Sequence, residues 1–590
     1  VNREQRRKAA KNQNNSSVLM KQTFNTPNNA VSLAISLHKT GQISQAEEMY
    51  EHILKSEPQN AKILNGLGLI KLQTKDEQNA LRLISTAVKI EPNNVGYLNN
   101  LGNVYRAANR LDDAINCYQN ALRLQPDYAD SYFNLGIALT EKDLVSEAIS
   151  TLFQAIAANP RHSRAHFTVG DLLQEQGLLD EAIASYNKGL SIQPNFFEGL
   201  TSLGMAFYRK GDLKAAQAVY EHALSIDPYS TAALSNIGAV FYEQGRIKIA
   251  DACYREVTKL APNSPDAYIN LGFVLSQQGK KEEAVECYKQ AIKHDPNSIK
   301  AMSSLAEILG KQSQWEEAIK LYHRIIEIDS NADAYTHLGI ALGEIGDVSG
   351  AIAQFEQTRK INPRHTKAYA HLGLVLQKHE KIEEAKSIFD YSELVAKYQF
   401  DSVEGWNSIK DYNAALHKYI YAHPTLLKDR PGKPLNKGRQ THEIFTDNAL
   451  VITALSEIVN RHLKNYLSNC SINTKNNFFN DFPETWKLSG WAVVLEPEGF
   501  QNSHIHPESL ISGVYYIQIP DAVKQNNSGE GNLSFADLFI NETANDQIDK
   551  YTVKPEEGLL VLFPSYFWHS TIPFSGDKDR VCISFNVIPA

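Results

Sequence analysis

The sequence predicts two architectures in one chain: an all-α superhelical solenoid over most of its length, then a double-sheeted β domain with flanking helices. Three observations predict this. Proline recurs every 34 residues from Pro58 to Pro296. Small residues recur at two fixed places within the same period. The periodicity stops near Phe400, and after Trp486 short strand-like runs separated by turn residues replace it.

Composition bounds the reading first. The chain has 590 residues, 43% apolar and 21% charged, which excludes a disordered or fibrous protein. Its net charge of -8 argues against nucleic acid as a partner. No apolar run reaches the ~18 residues of a membrane span, so no membrane partner is expected. Five scattered cysteines without a C-x-x-C pair exclude a disulfide framework and a structural zinc site, and fit a reducing, cytoplasmic setting. Residues 1–26 are basic and polar, with Arg3, Arg6, Arg7, Lys8, Lys11 and Lys21 and no apolar stretch. They read as a disordered basic leader rather than a secretory signal.

The repeat has a physical logic. Ten residues after each proline stands a small residue, as at Gly68, Gly102, Gly136 and Gly170. A second small position holds alanine throughout, from Ala46 and Ala80 to Ala351 and Ala385. Four residues after most of these alanines stands an aromatic, such as Tyr118, Tyr254 or Phe355. Two helices therefore fit between successive prolines. They approach closely at the small residues, and the aromatic fills the gap one turn on. Proline ends the second helix. One such unit cannot bury its apolar stripe, so the units must stack. Cys117, Cys253 and Cys287 share one repeat position, three after the alanine, which reads as packing rather than redox chemistry.

This pattern resembles the tetratricopeptide repeat, with eleven repeats over residues 27–397. Asn100, Asn134, Asn236 and Asn270 each lie two residues before the repeat glycine. Their N-L-G or N-I-G context is similar to the repeats of the protein O-linked N-acetylglucosamine transferases. That resemblance implies a groove whose asparagines grip a peptide backbone, since an amide both donates and accepts. The alternative is that they solvate or cap a helix face. The ladder is interrupted by Thr168, Ser202, Ser304 and His337. The roughly 190 residues after the repeats show no repeated βαβ pattern, so a glycosyltransferase of that kind is excluded.

The last third of the chain changes texture. Residues 401–485 read as short helices and loops, with an amphipathic helix over Asn448–Leu467. Strands are expected at Gly490–Leu495, Ser512–Ile519, Asn532–Leu538, Gly558–Phe563 and Arg580–Ile588, with turns marked by Gly499, Pro520, Gly529, Gly531 and Gly576. Such spacing suggests a double-stranded β-helix, or jelly roll. His504-Ile505-His506-Pro507 precedes one strand, and His569 follows 63 residues after His506. Residues i and i+2 of a strand share a face, so His504 and His506 can both meet His569 inside the domain. Two or three protein ligands with open positions suit non-haem Fe(II). A second register, His506, Glu508 and His569, would restore a carboxylate, though Pro507 disturbs a regular strand there.

The ordered motifs H-x-H-P, S-G-V-Y-Y, F-P-S-x-x-x-H and R-x-x-I-S-F-N resemble an oxygenase family within the 2-oxoglutarate/Fe(II)-dependent superfamily. The resemblance covers residues 485–590, with flanking helices from 401, and implies Fe(II) as cofactor and 2-oxoglutarate as cosubstrate. It makes His569 the distal iron ligand and gives Arg580 the far carboxylate of 2-oxoglutarate, with Tyr516 and Ser584 as further hydrogen-bonding groups. The usual H-x-D or H-x-E of the superfamily is H-x-H here. The expected function is a 2-oxoglutarate/Fe(II) dioxygenase hydroxylating a protein or peptide recruited by the repeat groove. Two alternatives stand beside it: a non-catalytic interaction scaffold, and an oxygenase of a small molecule or glycan whose repeats dock it to a complex. The break near Phe400 further predicts that repeats and β domain are separable.

Overall fold

The computed structural model describes residues 27–428, 434–473, 476–480, 482–525, 528–535 and 551–589; the expected leader over residues 1–26 lies outside them. The chain divides into two compact units, Val1–Pro262 and Asn263–Ala590.

The described part of the first unit is a run of antiparallel helix pairs, from Pro27–Lys39 with Ile43–Ser56 to Thr231–Glu243 with Ile247–Leu260. The helices start where a polar side chain takes an orphan backbone N–H. Asn60, Asn94 and Ser230 accept from Ile63, Tyr97 and Ala233 in this way. They stop just ahead of the periodic proline, as Leu111–Leu124 stops ahead of Pro126. The turn within a pair needs a left-handed residue. Gly177 supplies it at φ 77°, and Lys75 takes the same conformation at φ 61°. Pairing depends on the small positions. A Cβ on Gly102 would lie 2.4 Å from the Tyr118 ring, so only glycine lets the tyrosine seat there. Tyr118 is fully buried, and its hydroxyl donates to Asn103 Oδ1 at 2.8 Å. The alanines Ala46, Ala114, Ala182 and Ala250 are all 0% exposed.

The second unit continues the pairs from Pro265–Gln277 with Lys281–His294 to Thr366–Lys378. The partner of that last helix is cut to five residues, Ile382–Lys386, and the chain then enters a β region. Among the described residues its strands are β1 (Ala396–Gln399), β2 (Leu427–Lys428), β3 (Leu435–Gln440), β4 (Trp486–Gln501), β5 (Ile511–Gln518), β6 (Leu533–Phe535), β7 (Tyr551–Val553), β8 (Leu559–Pro564), β9 (His569–Thr571) and β10 (Arg580–Pro589). They form a seven-stranded antiparallel sheet, β1-β8-β5-β10-β4-β3-β2, and a three-stranded one, β7-β6-β9. Helices Ile409–Ala422 and Leu450–Asn473 flank them. The five expected strands are present; β4 and β10 are longer than the sequence suggested, and β5 and β8 have the expected length shifted by one residue. The strand expected over Asn532–Leu538 is described only as Leu533–Phe535, because residues 536–538 lie outside the described residues.

The change of texture near Phe400 is not a break in packing. One buried cluster runs from Phe355 and Tyr369 in the repeats through Tyr412 and Leu463 to Tyr515, Leu560 and Phe585 in the large sheet. Strand β1 leaves the last repeat and pairs with β8 as an edge of that sheet. Thr366 Oγ1 donates to the Ser509 carbonyl at 2.9 Å, and the Tyr566 hydroxyl donates to the Ile388 carbonyl at 3.2 Å. Among the described residues no helix is long and apolar enough to cross a membrane.

Candidate metal centre

Three histidines converge between the two sheets. His569 opens β9 of the small sheet, paired with Phe535 of β6. His504 and His506 lie on the connection between β4 and β5. They are not on a regular strand, so strand alternation is not what aligns them. An isolated bridge does it for His504, whose N–H and C=O exchange bonds with His569 at 3.0 and 3.1 Å. His506 is fixed by its N–H donating to the Ser565 carbonyl at 3.2 Å. The ligand atoms of the three rings all lie within 4.8 Å of one another. Glu508 is exposed and is not one of that group.

Burial and mutual proximity prepare these rings. Desolvation first, then the neighbouring His504 and His506, holds the His569 pKa well below the usual imidazole value. Desolvation also lowers His504. A neutral ring offers a lone pair at pH 7, as a metal requires. Two rings are oriented by backbone. His504 Nδ1–H donates to the Asn502 carbonyl at 2.7 Å and His569 Nδ1–H to the Phe567 carbonyl at 2.9 Å, which leaves Nε2 of each free to ligate.

The same pocket is lined by Arg580, Tyr516 and Ser584 from the large sheet. Arg580 and Ser584 share a face of β10 with Cys582 between them, and Cys582 pairs with Tyr516 across to β5. Arg580 is 1% exposed. Its Nη2 donates to the Tyr516 hydroxyl at 3.3 Å, its guanidinium lies 5.0 Å from that ring's centre, and its Nε is buried without a partner. Among the described residues no carboxylate pairs with it. Asp579, its chain neighbour, is engaged by Arg439 at 2.7 Å and by the Tyr421 hydroxyl at 2.5 Å. A buried guanidinium without a counter-charge is costly, so the pocket is built for an anion.

Outside the histidines an open cleft of about 450 Å³ is lined by Pro434, Gln440, Trp491, Gln501 and Ile505. The Trp491 ring centre lies 5.8 Å from that of His506. Sequence reasoning did not single out Trp491, Gln440 or Gln501, because neither a motif nor a periodicity marks them. In the first unit the amides of Asn100 and Asn134 donate to Asn65 and Asn99 of the preceding repeats at 2.9 and 3.0 Å. Asn236 and Asn270 occupy the same repeat position and are half-buried.

Residues 489–586 match the family model described as "Putative 2OG-Fe(II) oxygenase". The C-terminal region carries a domain of that family. The helix pairs are tetratricopeptide repeats: residues 31–95 and 102–143 match models of that repeat, and residues 157–361 match the "Cilia and flagella-associated protein 70 C-terminal domain". The oxygenase family implies Fe(II) and 2-oxoglutarate, and the repeats imply protein–protein interaction. No curated protein matches. Solved structures match the repeats. The MamA protein is 31% identical, covering 28% of this chain and 92% of its own, with a TM-score of 0.26. Yeast Tom70 is 13% identical, covering 68% of this chain and 97% of its own, with a TM-score of 0.35. YrrB, described as a TPR protein with an unusual peptide-binding site, is 20% identical, covering 31% and 95%, with a TM-score of 0.27.

Proposed function

We propose that the chain is a 2-oxoglutarate- and Fe(II)-dependent dioxygenase that hydroxylates a protein or peptide presented by its repeats. The observation that carries this reading is Arg580, a buried cation without an acidic partner, in the same pocket as three clustered imidazoles. The donor set fits the metal, because three neutral nitrogen ligands suit Fe(II) and leave positions for further ligands. The orphaned guanidinium fits a dicarboxylate. His504, His506 and His569 would hold the ion, and Arg580, Tyr516 and Ser584 the far carboxylate. Bound there, iron and 2-oxoglutarate supply oxidative decarboxylation coupled to hydroxylation of a C–H bond.

The chain's own residues do the rest. Asn502 and Phe567 carbonyls hold the Nδ1 protons of two ligands and so fix ring orientation. The buried walls of the inner pocket, among them Val514, Leu533 and Phe563, exclude water from the cosubstrate. The outer cleft adjoins that pocket, sharing Trp491, Gln501, His504 and His506 with it. Apart from the histidines its lining is amide and apolar, which suits an uncharged stretch of polypeptide. In the repeats, each ladder asparagine that donates to its neighbour keeps an oxygen and a second N–H for a peptide backbone. None of the five cysteines is joined in a disulfide, which supports a cytoplasmic setting.

Full-length protein given Fe(II) and 2-oxoglutarate should release succinate, and mass spectrometry of co-purifying proteins should find one gaining about 16 Da in a 2-oxoglutarate-dependent way. Tight iron binding with no succinate under any partner would instead establish a non-catalytic scaffold.

A further inference from the structure

A chain of buried hydroxyls leads to His506. Ser509 Oγ donates to Ser565 Oγ at 2.8 Å, and Ser565 Oγ lies 2.8 Å from Ser512 Oγ. Ser512 Oγ donates to Asn586 Oδ1 at 3.0 Å, and Asn586 Nδ2 lies 3.4 Å from His506 Nδ1. The three serines are 1%, 0% and 2% exposed in that order. Sheet register builds the cluster: Ser512 of β5 stands directly opposite Asn586 of β10, and Ser565 follows the end of β8. A buried hydroxyl left without a partner costs about 1 to 3 kcal/mol, so such a chain persists only when every member is satisfied. Nothing in the sheet pairing itself requires three serines and an amide at this place.

Placed beside the other two ligands, the cluster has a specific use. A histidine that binds a metal through Nε2 must keep its proton on Nδ1 and give it to an acceptor. For His504 and His569 the acceptors are the backbone carbonyls of Asn502 and Phe567. At His506 the group facing Nδ1 is the Asn586 side chain. An amide can present either end, and hydroxyls can reverse their donor direction along a chain. Asn586 can therefore turn its oxygen to Nδ1–H while Ser512 accepts from its nitrogen, with no partner lost.

Resting on the metal-centre reading above, we propose that Asn586 is the positioning residue for His506. It accepts the Nδ1 proton so that Nε2 faces the ion, and the serine chain holds the amide in place. This gives a common purpose to parts of three separate motifs: Ser512 of S-G-V-Y-Y, Ser565 of F-P-S and Asn586 of S-F-N meet in one network behind a ligand that none of them touches in sequence.

The test is Co(II) binding to the full chain, followed by calorimetry and by the visible absorption of the bound ion, with folding checked by circular dichroism. Asn586→Leu should weaken Co(II) by about 10- to 100-fold and alter the absorption envelope. Asn586→Asp, which keeps an acceptor oxygen, should retain affinity to within about one order of magnitude. Ser565→Ala should move affinity in the same direction as the leucine variant, but less. Should Asn586→Leu fail to fold, the aspartate and Ser565 variants still decide. The proposal is overturned if the folded leucine variant binds Co(II) with unaltered affinity and spectrum, or if aspartate is as damaging as leucine. An unaltered chain that binds no Co(II) would instead remove the metal centre itself, a separate outcome from Co(II) binding that ignores Asn586.

Discussion

The His371 ring, in the final full repeat helix, meets the Trp568 indole edge-on at 5.7 Å, and Trp568 immediately precedes the candidate ligand His569. His371 lies two residues before Gly373, the same repeat position that Asn134 and Asn236 hold further back. The inner helices of the second unit therefore end against the wall of the metal centre. The last repeats thus pack by a side-chain contact against the residue next to a candidate ligand, rather than standing apart as an appended arm.

Truncation tests that integration. A fragment starting near Asp401 loses β1 and the repeat residues Phe355 and Tyr369 from the shared core. It should be poorly folded, without a cooperative thermal transition. A fragment starting near Asn263, where the compact unit begins, should unfold cooperatively. A sharp transition in the shorter fragment would show that β1 and the repeats are dispensable.

Arg580→Ala should leave iron affinity nearly unchanged while 2-oxoglutarate binding falls sharply. Removing one partner of a buried ion pair costs about 3 to 5 kcal/mol, or more than 100-fold. Calorimetric titration of 2-oxoglutarate into the metal-loaded variant reads this directly. Unchanged affinity would take Arg580 out of the site.

The ligand register is separable by two substitutions. His504→Ala should abolish succinate release, since its ring stands 4.3 Å from that of His569, centre to centre. Glu508→Ala should be mild, because that side chain is exposed. The reverse order would return the carboxylate register.

Acid should destabilise the second unit through its repeat histidines. Desolvation, followed by the nearby Lys367 charge, lowers His337 to about 4. Desolvation, then Lys367 and His337, lowers His371 to about 3. The unfolded chain takes up protons below about 6.5 that the folded rings refuse, so stability is unaffected above that value and falls below it. The loss from His337 should accumulate from about 6.5 down to about 4. His337→Asn, the residue most common at this repeat position, should flatten the slope of melting temperature against pH over that window. An identical slope would show that the ring is not refused a proton in the fold.

The turns inside the repeats offer a matched pair. Gly177→Ala places a Cβ in open space at φ 77°, so only the backbone penalty of about 1 kcal/mol should appear. Lys75→Gly at φ 61° should stabilise by about 0.5 to 1 kcal/mol. Denaturant melts of the two variants should move in opposite directions.

The repeats were legible because their physics is local and reiterated. Gly102 and Tyr118 meet as their offsets require, and each neighbouring repeat restates the rule. The β region was legible where a strand is long, as at β5 and β10. It was not legible where a strand spans two or three residues, like β2 and β9, or continues straight from a helix, like β1. The three histidines could be picked out, but the reason they converge could not. A bridge between His504 and His569 is a pairing across 65 positions, and the expected strand alternation does not operate there. The serine chain was illegible for a similar reason, since a hydroxyl does not announce a partner on another strand.

The three candidate ligands are drawn from both sheets, with His569 on the small one and His504 and His506 on a strap between strands of the large one. An ion held by all three is thus a clasp across the sandwich. A ligand that binds only the folded form stabilises it by mass action, by about 2.7 kcal/mol at a hundred times its dissociation constant. The lifetime of this protein in a cell would then follow the iron supply. Loss of the ion would remove the one link of this kind, among the described residues, between the small sheet and the strap.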